Sequence, residues 1–571
     1  MPTFFCVAYI YRLHLSGKRV AIIFLCSVRY RVMGRRLVKR FCLVLALGGL
    51  AALLAPLFYR KVVTSDESEV ILELIRQNYG GEEKVIINQQ NWDSYQQLQL
   101  SVRQSAEVEA LPLSESETFI QSRLSGWDFR ETVNPPKIEL KASEKPTAMP
   151  YPEQNRFPIL IWWTPFTGTP HTVKECGYGR CLFTQNRALQ THAKTRAFIW
   201  YATDLRLRDL PLPRKPQHDW ALLHEESPKN NFPLVHAPLM TLFNHTCTFR
   251  RESSYPISLQ YLHSLERLLA TPLYSLTEKT RFKRDEGLAS VLYIQSDCGT
   301  PSDRDRYVAK LMEYIKIDSL GRCLHNKDLP DKYVDPLTMD HKGFHDIVAK
   351  YKFTLAFENA LCPDYMTEKL WRPLYIGSLP IYRGSPSVRD WMPNNKTIIV
   401  VDDFPTPFDL ARYIKHLDNN DDEYLEYFAY KNYQPDMIPN KRLAETMRKR
   451  PWGVDSAYQI NFVDGFECLI CDRVYKELLA EARNEPPVKW LVNNSHYGCP
   501  TPHVALPELE PDEMLSMWIS EHERQGYFAA LGARDMITSG ANSSAKFDDF
   551  VERAYYKNRD RVENRNAYEL R

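Results

Sequence analysis

Apolar residues fall in short unbroken runs along the middle of this chain, and their spacing predicts the elements. Residues 157–163 (FPILIWW) and 197–203 (AFIWYAT) are continuously apolar and of strand length, the pattern of strands covered on both faces. The stretch 219–228 (DWALLHEESP) carries a third apolar segment into a polar turn. Helical spacing runs through 255–276 (YPISLQYLHSLERLLATPLYSL), and the basic 278–287 (EKTRFKRDEG) reads as a linker. A second series follows: strand 289–298 (ASVLYIQSDC), helix 305–317 (DRYVAKLMEYIKI) and strand 351–359 (YKFTLAFEN). Next come helix 366–377 (MTEKLWRPLYIG), closed by Gly377, strand 379–384 (LPIYRG), strand 396–404 (KTIIVVDDF) and helix 407–418 (PFDLARYIKHLD). Strands alternating with helices at this spacing predict parallel sheets with crossover helices, in two α/β domains facing a cleft. No internal repeat is present, which excludes solenoids.

The first 152 residues read differently. Residues 41–59 (FCLVLALGGLAALLAPLFY) carry no charge and are long enough to cross a bilayer. Arg35, Arg36, Lys39 and Arg40 precede them, and only Arg60 and Lys61 follow closely, which places residues 1–40 in the cytosol and the body in a lumen. A cleaved signal peptide is the alternative, disfavoured by the length of the span and the absence of a small-residue cleavage site. Met1 and Met33 are both plausible starts. Residues 60–152, ending in a proline-bearing tract, read as a stem. The expected organisation is then a tail 1–40, an anchor 41–59, a stem 60–152, α/β domains at 153–280 and 285–475, and an extension 476–571.

Composition sharpens this picture. Of 73 Lys and Arg, 11 lie in residues 1–61 with no acid beside them, leaving 62 bases against 71 acids. The body is acidic, so nucleic acid is excluded as a partner. Four sequons follow the anchor, at Asn244, Asn395, Asn493 and Asn542, and nine of the 12 cysteines do too. An oxidising compartment pairs most of those nine and leaves at least one free. Cys468 and Cys471 (FECLICD) match the spacing of a redox pair and are expected as a structural disulfide, as are Cys176 and Cys181 (ECGYGRC).

Ligands of open α/β sheets bind beyond the carboxyl ends of strands, against helix N-termini. There the chain places Glu358 and Asn359, with Glu368 and Lys369 opening the next helix. Lys369 and the helix dipole suit a diphosphate, and Glu368 can accept hydrogen bonds from sugar hydroxyls. Equally, Glu368 fits a helix-start signal and Lys369 a solvated side chain. Ser296 and Asp297 end the preceding strand, and Arg304 can bridge phosphate oxygens. Asp303 and Asp305 form a D-x-D pattern but read as helix-start acids. Glu225 and Glu226 (HEESPKNN) offer a general base or a solvated pair. His341 and His345 stand four apart without a third ligand and read as structural.

Together these stretches resemble the GDP-fucose-dependent α1,3-fucosyltransferase family, most of all in FENALCPDYMTEKLWRPLYIGSLPIYRGSPSVRDWMP. The similarity runs from about residue 157 to 471. It implies a GT-B architecture of two facing Rossmann-like domains, a type II signal-anchor in the endoplasmic reticulum or Golgi membrane, and inverting transfer from GDP-β-L-fucose without an obligatory metal or other cofactor. By its place in ESP, Glu226 resembles the family's general base, while Ser296, Asp297, Arg304, Asn359, Tyr365, Glu368 and Lys369 correspond to the donor site. Asp297 departs from the asparagine of many relatives. LPLPRKPQHDWALLHEESPKNN, YIQSDCGTPSDRD and the C-x-x-C are most similar to the divergent animal subgroup numbered ten and eleven, linked to O-fucosylation of Ser/Thr in EMI-type protein domains. The expected acceptor is therefore a folded protein domain. The alternatives are an N-glycan GlcNAc and, from another class, a non-catalytic lumenal binding protein or chaperone. The extension, with MLSMWISEHERQGYFAALGARDM, either serves a protein substrate or packs on the body.

Overall fold

The computed structural model describes residues 156–166, 171–335, 338–454, 456 and 459–569. In a first sheet, β1 (Ile159–Thr164), β2 (Thr172–Glu175), β3 (Arg180–Thr184), β4 (Thr195–Tyr201), β5 (Asp219–His224) and β6 (His245–Thr248) lie in the order β2-β3-β1-β4-β5-β6. All neighbours are parallel except β2, which runs antiparallel to β3 at one edge. The strands are apolar throughout because both faces are covered: Leu160, Trp162, Phe183, Ile199 and Leu223 enter one core, and Ile161, Trp163, Leu182, Phe198 and Leu222 the other.

Two expectations fail between the sheets. The stretch 255–276 holds one short helix, Leu265–Leu269, rather than a long one. Pro256 and Pro272 bracket it, and Leu259 and Leu262 reach the second sheet's core from turn and loop, Leu268 and Leu269 from the short helix. The expected linker 278–287 is instead mostly α1 (Leu276–Asp285), started by a Ser275/Glu278 capping box. Its charges misled because most are solvent-facing. Lys279 alone is buried, donating to the carbonyls of Ala349 and of Tyr351 (2.9 Å).

In the second sheet, β7 (Val291–Tyr293), β8 (Ile317–Ser319), β9 (Phe353–Phe357), β10 (Leu379–Arg383) and β11 (Ile399–Val400) lie in the order β11-β10-β9-β7-β8, parallel throughout. Helices α2 (Arg304–Met312), α3 (Lys342–Ala349) and α4 (Glu368–Ile376) make the crossovers, and α5 (Pro407–Asp418) follows β11. Gly377 ends α4 at φ 88°, where a Cβ would collide with Pro272.

Helix α6 (Phe462–Ala482) begins in the stretch assigned to the second domain but packs on the first sheet, burying Phe466, Ile470, Val474 and Leu478 there. Trp162 donates to Glu467 at 2.6 Å, and Lys174 of β2 pairs with both Asp464 and Glu467. The expected disulfides within each cysteine pair do not form. Cys176 bonds Cys468, and Cys181 bonds Cys471, with Cα separations of 5.1 and 6.0 Å. Residues three apart on a helix hold their Cβ atoms about 5–6 Å apart, too far for the roughly 3.8 Å that a disulfide needs. Each cysteine of α6 therefore reaches across to the β2–β3 hairpin. Among the described residues, Cys298 also bonds Cys323 and Cys362 bonds Cys499, while Cys247 is free and buried.

The extension packs on the body. Of α7 (Glu513–Ser520), α8 (Tyr527–Thr538) and α9 (Phe547–Glu569), the last two add Ala530, Ala533, Met536 and Phe547 to the first sheet's core beside Trp200 and Trp220. Asn395, Asn493 and Asn542 are exposed. Asn244 departs from an exposed acceptor: its Oδ1 accepts from Arg214 (2.7 Å) and the Trp220 amide (2.9 Å), and its Nδ2 donates to the Trp490 carbonyl (3.3 Å). Among the described residues no helix is long and apolar enough to cross a membrane. The expected tail 1–40, anchor 41–59 and stem 60–152 lie outside the described residues.

Candidate active site

Strand β5 runs into Glu225 and Glu226 just past its last ladder pair, His224 with Thr248. His224 is fully buried, which lowers its pKa to about 3 and keeps the ring neutral. Glu225 accepts from the Tyr201 hydroxyl at 3.0 Å, and burial, with Glu226 beside it, pushes its carboxyl up to about 7. The Tyr365 hydroxyl lies beside Glu226 and favours its ionised form. Burial raises the Glu226 carboxyl above its ordinary value, with Glu368 adding to the rise and Lys369 opposing it. The base candidate of the first sheet thus meets Tyr365, Glu368 and Lys369 of the second.

On the second side, β9 delivers Glu358 into full burial at its carboxyl end. Glu358 accepts from the Thr367 amide (2.7 Å) and hydroxyl (2.8 Å), and Thr367 caps α4 by accepting from the Lys369 amide. Burial lifts Glu358 to about 7 despite Lys369, whose Nζ lies 3.9 Å away. Burial would raise Glu368 too, but Lys369 at 3.0 Å and Arg372 outweigh it and bring that carboxyl down to about 2. Glu368 is therefore ionised and Lys369 is its counter-ion. The loop ahead of α4 is fixed across the cleft by Arg251, which holds the buried Asp364 through its amide and guanidinium. That clamp sets Tyr365 beside Glu226. Asn359 lies at the end of β9, its Oδ1 buried without a hydrogen-bond partner.

The remaining expected donor residues behave differently. Ser296 and Asp297 are exposed on the loop after β7, and Asp297 pairs with Lys229, three residues beyond Glu226. Arg304 is not open to a phosphate. It is buried, and its guanidinium donates to the carbonyls of Phe357 (2.9 Å) and Asp297 (2.7 Å), tying the ends of the two strand-following loops together. Both D-x-D acids are engaged: Asp303 with Arg306 (2.6 Å), and Asp305 with the Tyr293 hydroxyl (2.7 Å) and the Gly299 amide (2.8 Å). His341 caps α3, and His345 is buried with a pKa lowered to about 4.

Sequence reading passed over Tyr261 and Tyr497. Burial and the charges of Glu368, Glu226, Glu225 and Glu358 all raise the Tyr261 hydroxyl, which places it amid four carboxylates. No local pattern marks it. The arrangement is a cleft in which three raised carboxyls (Glu225, Glu226 and Glu358), one ionised carboxylate (Glu368) and one lysine (Lys369) converge from two sheets. It is suited to taking a proton at one end and holding an anion at the other.

Such a cleft at the carboxyl ends of strands from two α/β sheets is a ligand-binding setting, and the family comparisons name the class. Residues 154–261 match "Fucosyltransferase, N-terminal", and 285–474 match "Glycosyltransferase family 10 (fucosyltransferase) C-term". The chain belongs to glycosyltransferase family 10 and is a fucosyltransferase. Among its relatives, the GDP-fucose protein O-fucosyltransferase 3 of Homo sapiens is 46% identical over 398 residues, 69% of this chain and 82% of that protein. That of Canis lupus familiaris is equally similar, and that of Danio rerio is 44% identical over 409 residues, 71% of this chain and 88% of that protein. A solved structure titled "Crystal Structure of alpha1,3-Fucosyltransferase with GDP-fucose" covers 55% of this chain and 83% of its own, at 18% identity and a TM-score of 0.32.

Proposed function

We propose that the protein transfers L-fucose from GDP-β-L-fucose, with inversion, to Ser or Thr hydroxyls of folded protein domains of EMI type. The observation that supports it is the meeting of Glu226 with Tyr365, Glu368 and Lys369 across the cleft. The printed names of the relatives support the protein acceptor. In this reading Glu226 takes the acceptor hydroxyl's proton as its oxygen bonds to the fucose anomeric carbon. The bond from that carbon to the β-phosphate oxygen breaks, and GDP leaves with the electron pair. Lys369 and the N-terminus of α4 meet the charge on the diphosphate, so no metal enters the step. Glu368 is placed to hold the sugar and the positive charge that develops on it. Ser296, Asp297, Asn359 and Tyr365 line the donor side, and Arg304 acts by holding the loops that carry them. The basic tail, the span 41–59 and the sequons support a single-pass type II protein with its body in the lumen of the endoplasmic reticulum or Golgi.

The test is to incubate the full-length protein in detergent with GDP-fucose and either a folded EMI-type domain or a biantennary N-glycopeptide, beside Glu226→Gln, and to read products by mass spectrometry. Fucose on Ser or Thr, lost in the variant, is the expected result. Fucose on the glycan alone would make it an N-glycan transferase, and no transfer would leave a binding protein.

A further inference from the structure

Past His224 the β5 ladder stops, so the backbone that carries the base must be held by other groups. Two side chains do so: Gln260 donates to the Glu225 carbonyl at 3.3 Å, and Tyr497 donates to the Glu226 carbonyl at 3.0 Å. Tyr497 lies outside both family matches, in the returning chain beyond α6. It is fully buried, and its ring stacks on His224 (5.0 Å, 24°) and leans on Phe249 (5.2 Å). Phe249 in turn lies 5.0 Å from Tyr365, whose hydroxyl lies beside Glu226 and favours its ionised form. The flanking residues are anchored to both sides of the cleft. His496 meets Thr246 (2.8 Å) and Thr248 (2.5 Å) of β6, and Cys499 is bonded to Cys362, three residues before Tyr365.

We propose that Tyr497 is a positioning residue for the Glu226 base, so that the chain beyond the family core completes the active site by gripping the backbone of Glu226 and, through Phe249, backing the tyrosine beside it. The inference rests on the reading of Glu226 as the base. Removing only the hydroxyl, Tyr497→Phe, keeps the stacked ring and the fold. It frees the Glu226 carbonyl, so the carboxylate samples more than one direction.

The experiment uses the full-length protein, GDP-fucose and the folded acceptor domain, with wild type, Y497F, E226Q and the double variant. Y497F is expected to lower kcat about tenfold, the worth of one lost hydrogen bond of about 1.4 kcal/mol, with the donor KM within twofold. It is also expected to move the acid limb of the kcat/KM pH profile. In the E226Q background the same change adds nothing, because the group it positions is already gone. An unchanged kcat in Y497F overturns the proposal. So does a loss that merely follows the folded fraction with the pH profile intact, or an equal further loss in E226Q. A wild type that transfers no fucose overturns the underlying reading as well, and is told apart from these because the reference itself is then silent.

Discussion

Glu358 offers a test that needs no substrate. Its carboxyl is fully buried at the end of β9 and is held at about 7, against 4.5 in the unfolded chain. Below pH 4.5 both states carry the proton and the group contributes no pH dependence. Between 4.5 and 7 the folded state binds more protons than the unfolded state, so stability falls as pH rises, and above 7 the full penalty is present. At about 1.36 kcal/mol for each pH unit of that interval, the penalty comes to about 3 kcal/mol. Glu358→Gln keeps an acceptor for the Thr367 amide and removes the titration. Urea unfolding of wild type and E358Q at intervals from pH 4.5 to 8 measures the difference in stability at each pH. Glu225, also raised, titrates in both proteins and cancels. The stability of wild type relative to E358Q should fall by about 3 kcal/mol over this range. A difference that stays flat, or that grows with pH in favour of wild type, would refute the reasoning that burial outweighs Lys369 at this site.

Glu226→Gln should lower kcat by roughly 10²–10⁴, the usual share of general base catalysis, while GDP binding measured by calorimetry stays within a few-fold. Lys369→Met should instead weaken GDP binding, and should raise the acid limb of the wild-type rate profile, because it removes the cation that opposes the rise at Glu226. Non-reducing peptide mapping should recover Cys176 joined to Cys468 and Cys181 joined to Cys471. Replacing Cys176 and Cys468 together should cost about 2–5 kcal/mol of unfolding free energy.

Strands with both faces covered were the most legible part of the sequence. β1, β4, β5, β9 and β10 announce themselves as unbroken apolar runs, and α4 by its start residues and Gly377. The hairpin of β2 and β3 stayed hidden because β2 is a short, largely polar strand at the sheet edge, and the hairpin's cysteines have partners nearly 300 residues away. α1 was hidden by solvent-facing charge, whereas 255–276 has helical spacing but holds one short helix bracketed by prolines. Within the site, Glu368 and Lys369 could be placed from the strand-to-helix rule because their neighbours are local. Arg304 could not: whether a guanidinium faces a ligand or two backbone carbonyls depends on how two loops approach. Tyr261 and Tyr497 depend on chain return, which no window of sequence contains.

Cys176–Cys468 and Cys181–Cys471 close two covalent rings that share the stretch from residue 181 to 468, with the whole second sheet strung inside it. A protease that nicks any one peptide bond in that stretch leaves both pieces attached through the hairpin. Such a molecule runs as one species until it is reduced. The two walls of the cleft therefore cannot be lost to one another by a single cut between them, and after such a nick the second sheet stays tethered near its partner, where it can dock again.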